Sequence, residues 1–274
     1  MFTPFVRILL LVLATGLVPA LVMMAGFAQA AVSGWQDLGG GKARLVAMVD
    51  PASGELRGAV EVRLEDGWHT YWRYPGKSGI PPRFDFAGST GFDIGAVRFP
   101  VPELLGEGDD IYAGYKSSVI FPFSGTWDPA VSPSLKLSLL IGVCEEICIP
   151  AQARFSMDSA ALSITDPDAT RILGAARLHL PILKTPADLD LAISSEGQSR
   201  VLLSLKASFG DHEPLLFVEG PHGWNLSPAT FVGRSGERLT FSLEIPQWAD
   251  PELLKKPGPV FTLVTGGSGL EFSH

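Results

Sequence analysis

Cys144 and Cys148 are the only cysteines of a 274-residue chain, and each sits at the end of an alternating apolar run. Before them Leu135, Leu137, Leu139, Ile141 and Val143 recur at every second position, with Lys136 and Ser138 between. After them Ile149, Ala151, Ala153 and Phe155 recur against Gln152, Arg154 and Ser156. A period of two is the spacing of a strand with one buried face, so the stretch 135–157 predicts two strands joined near the cysteines as a hairpin. Two thiols beside one tight turn come within bonding distance. Two readings follow: a local staple, or a dithiol that works by opening and closing.

The first thirty residues set the compartment. Arg7 is followed by an apolar run from Ile8 to Phe27 and by Ala28-Gln29-Ala30, the pattern of an export signal with cleavage after Ala30. Pro19 and Gly26 interrupt the run, and no later segment approaches the ~18–20 apolar residues that span a bilayer. The expected location is outside the cytoplasm, which for a bacterium is the periplasm. A cysteine pair oxidises there by default. A disulfide gains stability with the length of the loop it closes, and only three residues intervene here, so stapling is a weak motive for the pair. A formal net charge of −8 and the lack of any Lys/Arg cluster argue against nucleic acid and anionic membrane surfaces as partners.

The rest of the chain reads as β. Ala43–Val49 is a strand ended by Asp50-Pro51, and Glu55–Leu64 follows the Ser53-Gly54 turn. After Asp66-Gly67 come four large aromatics, Trp68, Tyr71, Trp72 and Tyr74, too many for one half-buried strand face. Some of them are expected to line a cleft. Ser78–Arg83, with Pro81 and Pro82, cannot be central strand. Phe92–Phe99 reads as a strand, and 101–113 as an acidic loop. Val119–Phe123 reads as an edge strand if Pro122 belongs to it. Helical periodicity appears only from Asp168 to Leu180, beginning at Asp166-Pro167. Beyond it strands are expected at 189–194, 201–207, 215–219, 238–245 and 260–265. This is an all-β chain: two immunoglobulin-like β-sandwich domains with a short helical junction. The expected division is a signal (1–30), a redox sandwich (31–165), a linker (166–186) and a second sandwich (187–274).

The Cys144-Glu145-Glu146-Ile147-Cys148 motif lacks both the two-residue spacing of a thioredoxin motif and a following helix N-terminus. Carboxylates of Glu145 and Glu146 disfavour a thiolate, so neither thiol is expected below its free value of about 8.5 on these grounds. The natural role is a disulfide attacked by an upstream thiolate and a dithiol oxidised downstream. The stretches 107–115 and 68–74 are the candidates to cover it. His69, His179, His212, His222 and Met157 are dispersed without metal-ligand spacing, and His69 reads as structural. There is no Gly-x-Ser-x-Gly elbow and no phosphate-binding glycine loop.

Trp68-His69-Thr70-Tyr71-Trp72-Arg73-Tyr74-Pro75-Gly76-Lys77-Ser78-Gly79-Ile80-Pro81-Pro82, Gly114-Tyr115-Lys116 and Val143-Cys144-Glu145-Glu146-Ile147-Cys148-Ile149-Pro150 carry a resemblance. In these pieces the chain resembles the N-terminal periplasmic domain of the thiol:disulfide interchange protein DsbD, especially the version in the suppressor-of-copper-sensitivity membrane reductases. The resemblance implies an immunoglobulin-like sandwich whose Cys144/Cys148 pair receives electrons from a membrane-embedded thiol reductase and reduces periplasmic thioredoxin-fold proteins. It implies Cys148 as the cysteine that attacks or is attacked first. It also implies a cap loop at 107–112 that shields the disulfide with Ile111 or Tyr112, flanked by Tyr115, Trp68, Tyr71, Glu145 and Glu146. No cofactor and no small-molecule substrate are expected. The 274 residues hold no transmembrane conduit, so the membrane partner is expected to be a separate chain. Two other readings stay open: a binding module with an inert structural disulfide, and copper sequestration by the thiols.

Overall fold

The computed structural model describes residues 31–76, 79–108, 111–208 and 212–273; the expected export signal at 1–30 lies outside the described residues. In chain order the N-terminal half forms β1 (Gln36–Asp37), β2 (Gly41–Asp50), β3 (Glu55–Leu64), β4 (His69–Tyr71), β5 (Arg83–Asp85) and β6 (Phe92–Ile94). It continues with β7 (Glu103–Leu105), β8 (Tyr112–Lys116), β9 (Ser118–Trp127), β10 (Ser134–Cys144) and β11 (Cys148–Asp158). Two sheets result. The back sheet runs β1-β2-β3-β9-β6, and the front sheet runs β11-β10-β4-β8-β7 with β5 also on β10. The hairpin expected around the cysteines is the spine of the front sheet, paired without a break from Ser134↔Asp158 to Cys144↔Cys148.

Alternation decides the core. Leu135, Leu137, Leu139, Ile141 and Val143 of β10 and Ala151, Ala153, Phe155 and Met157 of β11 are buried. They form one cluster with Leu45, Val60, Val62, Phe121 and Phe123 of the back sheet. Lys136, Ser138, Gln152, Arg154 and Ser156 point to solvent, the period-two pattern of a one-faced sheet.

Departures from the sequence reading have local causes. The strand expected over 92–99 stops at Ile94. Beyond it the chain still follows β9, through Gly95 N–H to Ser124 O and Arg98 N–H to Pro122 O, but Pro122 has no N–H to return. Pro122 therefore sits inside a ten-residue strand, on the side of β9 that β6 reaches only at Gly125–Trp127. The acidic stretch 101–113 is not all loop: β7 and β8 pair as Glu103↔Gly114 to Leu105↔Tyr112.

Asp158 caps α1 (Ser159–Leu162), accepting from Ala161 N–H. Asp166 caps α2 (Pro167–Leu178), accepting from the N–H of Asp168 and Ala169, with Pro167 in the first turn. The α2 face of Ala169 and Ile172 packs with Val46 against the back sheet. After it come β12 (Ile182–Lys184), β13 (Ala192–Ser195), β14 (Arg200–Lys206), β15 (Leu215–Glu219), β16 (Thr230–Ser235), β17 (Arg238–Glu244), β18 (Val260–Thr265) and β19 (Ser268–Ser273). They make two four-stranded sheets, β12-β19-β18-β15 and β13-β14-β17-β16. Their inner faces join Val201, Leu203, Leu239, Phe241, Val218, Phe261, Leu263 and Phe272 in a second core.

The two sandwiches are docked. Leu216 and Val218 of β15 face their own core, whereas Leu215, Phe217 and, from β18, Val264 belong to the core cluster of the N-terminal sandwich. That is why Leu215-Leu216-Phe217-Val218 is a continuous apolar run, as expected of a strand covered on both faces. Among the described residues no helix is long and apolar enough to cross a membrane.

Candidate redox site

Pairing places the site on the outer face of the front sheet. Cys144 pairs with His69 across β10/β4, and His69 pairs with Lys116 across β4/β8. Directly opposed residues share a face, so Cys144, His69 and Lys116 lie outward, as do Tyr71 and Gly114 one step along. Thr70 and Trp72 then face the core, and both are buried.

Cys144 and Cys148 are joined as a disulfide at the turn end of the β10/β11 hairpin, with Cα atoms 4.1 Å apart. The two sulfurs differ in exposure. Cys144 is 1% exposed, although it lies on the outer face. Cys148, first residue of β11, is exposed. Tyr71 reaches both: its hydroxyl is 3.0 Å from Cys148 Sγ and 3.4 Å from Cys144 Sγ. A disulfide carries no S–H, so the tyrosine donates. Burial holds the Tyr71 hydroxyl above its ordinary pKa, which keeps the proton available at neutral pH.

Two glycines make room for the Tyr71 ring. A Cβ on Gly142 would come 2.8 Å from Ile80 Cβ and 3.2 Å from Tyr71 Cδ2, and one on Gly79 would come 2.8 Å from the Tyr71 ring. Gly79 also has φ +133°, a conformation other residues rarely adopt. Neither glycine was singled out from the sequence; Gly142, breaking an apolar strand two residues before Cys144, was the available signal.

Tyr112, at the start of β8, completes an aromatic lid. Its ring stacks on His69 at 4.9 Å and meets Tyr71 edge-on at 5.3 Å, while His69 and Tyr71 are T-shaped at 5.7 Å. Such pairs add to the hydrophobic gain of covering the rings. Burial, then the nearby Lys116 charge, holds the His69 imidazole below its ordinary pKa. Burial, then Tyr71, holds the Tyr112 hydroxyl above its own. His69, read as structural, thus stands in the lid rather than the core. Ile111 is partly exposed beside it.

The remaining expected flanking residues stand outside the aromatic lid. Tyr115 has the wrong parity: it faces the core, is 5% exposed, and donates to Pro100 O at 2.8 Å. Trp68 lies flat over Gly40, where a Cβ would fall 2.0 Å from its ring, at the rim of the core cluster. Glu145 and Glu146 are exposed in the turn between the cysteines, and Ile147 there is 77% exposed. The Glu145 carboxylate lies over Gly67, whose φ is +86°. Among the described residues no group of three or more His, Cys, Asp or Glu side chains is placed to hold a metal ion.

Residues 42–160 match the family described as thiol:disulfide interchange protein DsbD, N-terminal. The N-terminal periplasmic domain of ScsB from Proteus mirabilis is similar in structure, with a TM-score of 0.71 and 22% identity, over 89% of this chain and 98% of that one. At that identity the likeness shows the fold, and it extends through both sandwiches. A conserved domain protein from Bacillus anthracis aligns with a TM-score of 0.24 and 9% identity over 84% of this chain and 75% of that one, too low to carry an argument. No curated protein matches the sequence.

Proposed function

From the match of residues 42–160 to the DsbD N-terminal family, we propose that the protein is a periplasmic thiol–disulfide relay working through Cys144 and Cys148. The observation that carries this reading is the asymmetry of the pair: Cys148 is exposed and Cys144 is buried, with the Tyr71 hydroxyl within reach of both sulfurs. An incoming thiolate attacks Cys148 Sγ, the S–S bond breaks, and Cys144 leaves with the electron pair as a thiolate. The Tyr71 hydroxyl, 3.4 Å from Cys144 Sγ, is in place to donate to that developing charge. A second thiol of the donor then releases the mixed disulfide and leaves both cysteines reduced. In the forward transfer Cys148 attacks the acceptor's disulfide and Cys144 resolves it. Each half passes two electrons and two protons, so no cofactor is needed.

The partners this reading implies are a membrane-embedded thiol reductase as donor and thioredoxin-fold proteins as acceptors. Both would approach Cys148 beside Ile147, which is 77% exposed in the turn between the cysteines. The alternative of an inert staple gains little support from the fold. The hairpin is already held by an unbroken ladder of which Cys144↔Cys148 is only the last rung. The test is trapping: Cys144→Ser, with Cys148 carried as its mixed disulfide with thionitrobenzoate, is attacked by a thioredoxin-fold protein retaining only its attacking cysteine, which releases thionitrobenzoate and leaves a stable mixed disulfide through Cys148. Trapping through Cys144 in a Cys148→Ser variant, with none through Cys148, would overturn the assignment. A wild-type disulfide that resists both dithiothreitol and reduced thioredoxin would overturn the relay itself.

A further inference from the structure

Arg73 lies two residues after Tyr71, and its charge is matched by the other sandwich. Its Nε and Nη2 donate to Glu219 at 2.9 and 2.5 Å, and Nη2 also donates to Glu271 at 2.6 Å. Glu219 ends β15 and Glu271 lies in β19. The guanidinium is stacked over Trp72, 4.5 Å from its centroid, and the Trp72 ring packs on Phe217 of β15 at 5.4 Å. One residue further, the Tyr74 hydroxyl accepts from Leu226 N–H at 2.8 Å. Gly76 then passes between the carbonyls of Ile111 and Leu226, each 3.8 Å from where its Cβ would stand.

The opposite side of the same segment holds the lid. Trp72 N–H donates to Ala113 O at 3.0 Å, and Ala113 N–H donates to Pro75 O at 3.2 Å. Ala113 follows Tyr112, whose ring covers His69 and meets Tyr71. Residues 72–76 are therefore a strip with the C-terminal sandwich on one edge and the lid strand β8 on the other. Bidentate Arg–carboxylate contacts, partly buried as these are, fix position as well as sign.

We propose that the C-terminal sandwich is a positioning element for the redox site: through Arg73 and Tyr74 it holds residues 72–76, and through them it keeps the Tyr112 lid closed over His69 and Tyr71 beside the disulfide. Arg73, Tyr74, Glu219 and Glu271 are positioning residues that touch neither sulfur. The inference rests on the reading that the disulfide opens and closes, and it assigns a task to the half of the chain that has no cysteine.

The experiment is the rate at which dithiothreitol reduces the disulfide of the full chain, with and without loosening the strip. Dithiothreitol supplies both electrons and leaves as its cyclic disulfide, so no protein partner enters. Glu219→Gln/Glu271→Gln is expected to raise the rate about tenfold, the scale of coupling that neighbouring elements carry. Tyr74→Phe, which removes one hydroxyl and keeps the ring, is expected to raise it about threefold, in line with one hydrogen bond. Rates are read well below the melting temperature of each variant, and Glu237→Gln, on the surface of the C-terminal sandwich, serves as the control at the wild-type rate. Wild-type rates in both test variants, with hydrogen exchange showing residues 219–226 loosened, would overturn the proposal and leave the relay intact. A wild-type disulfide inert to dithiothreitol would instead overturn the relay on which it rests.

Discussion

Two outer faces of this molecule carry apolar or aromatic residues that a lone sandwich would leave to solvent, and they are covered in different ways. The outer face of β15 and β18, with Phe217 and Val264, is covered by the other sandwich and bordered by the Arg73–Glu219–Glu271 ion pairs. The outer face of β4, β8 and β10 carries His69 and Tyr71, packed under one ring, Tyr112, and ends at the exposed Cys148. The first is sealed on both sides like a core. The second is shut by a few ring contacts next to a loop, the kind of cover that opens locally at low cost. The difference teaches which face is built for stability and which for access.

Substitutions sharpen that contrast. Phe217→Ala, in the sealed face, is expected to cost about 3–5 kcal/mol in chemical denaturation, the range for removing a large buried aromatic. A Tyr112→Ala variant that lost as much would break the comparison; a small loss in stability with a faster reaction with dithiothreitol is expected. Reducing the disulfide comes next. Closing so short a loop is worth about 2 kcal/mol in the chain-entropy model, so the reduced protein is expected to stay folded, with unchanged far-ultraviolet circular dichroism and a lower melting temperature. Tyr71→Phe removes the donor to both sulfurs and should slow reduction about tenfold, the value of one hydrogen bond to a charged group.

The smallest effect is a pH dependence. The His69 imidazole sits below its ordinary value of 6.5 because burial disfavours its charged form. The unfolded chain therefore binds more protons in the window just below 6.5, and the stability owed to neutral His69 is lost as pH falls through it. Glu219, raised by burial, acts with the opposite sign at lower pH. The fall in melting temperature between pH 7.5 and 5.5 is accordingly expected to shrink in His69→Gln relative to the wild type. An identical fall in both proteins would remove the imidazole from the lid's energetics.

The hairpin was legible because its signal is local: alternation on both sides of the cysteines leaves one choice of buried face. The capped start of α2 was legible for the same reason, from Asp166-Pro167. The strands Thr230–Ser235 and Ser268–Ser273 were not, since glycine, serine and threonine dilute their patterning. Parity explains the site. Tyr112 and Tyr115 are three apart in one strand, so they lie on opposite faces; only the pairing of β8 with β4 tells which one meets His69. The Arg73 contacts were beyond reach because their partners stand 146 and 198 residues away and nothing in either local sequence refers to the other.

The central claim is that the two cysteines are unequal, Cys148 exposed and reactive and Cys144 buried. Limiting iodoacetamide added to the reduced protein, followed by peptide mass spectrometry under native and denatured conditions, reads that inequality directly. The account predicts carbamidomethylation at Cys148 in the native protein and at both residues once it is unfolded. Equal labelling of the two in the native state, or labelling of Cys144 first, would contradict it.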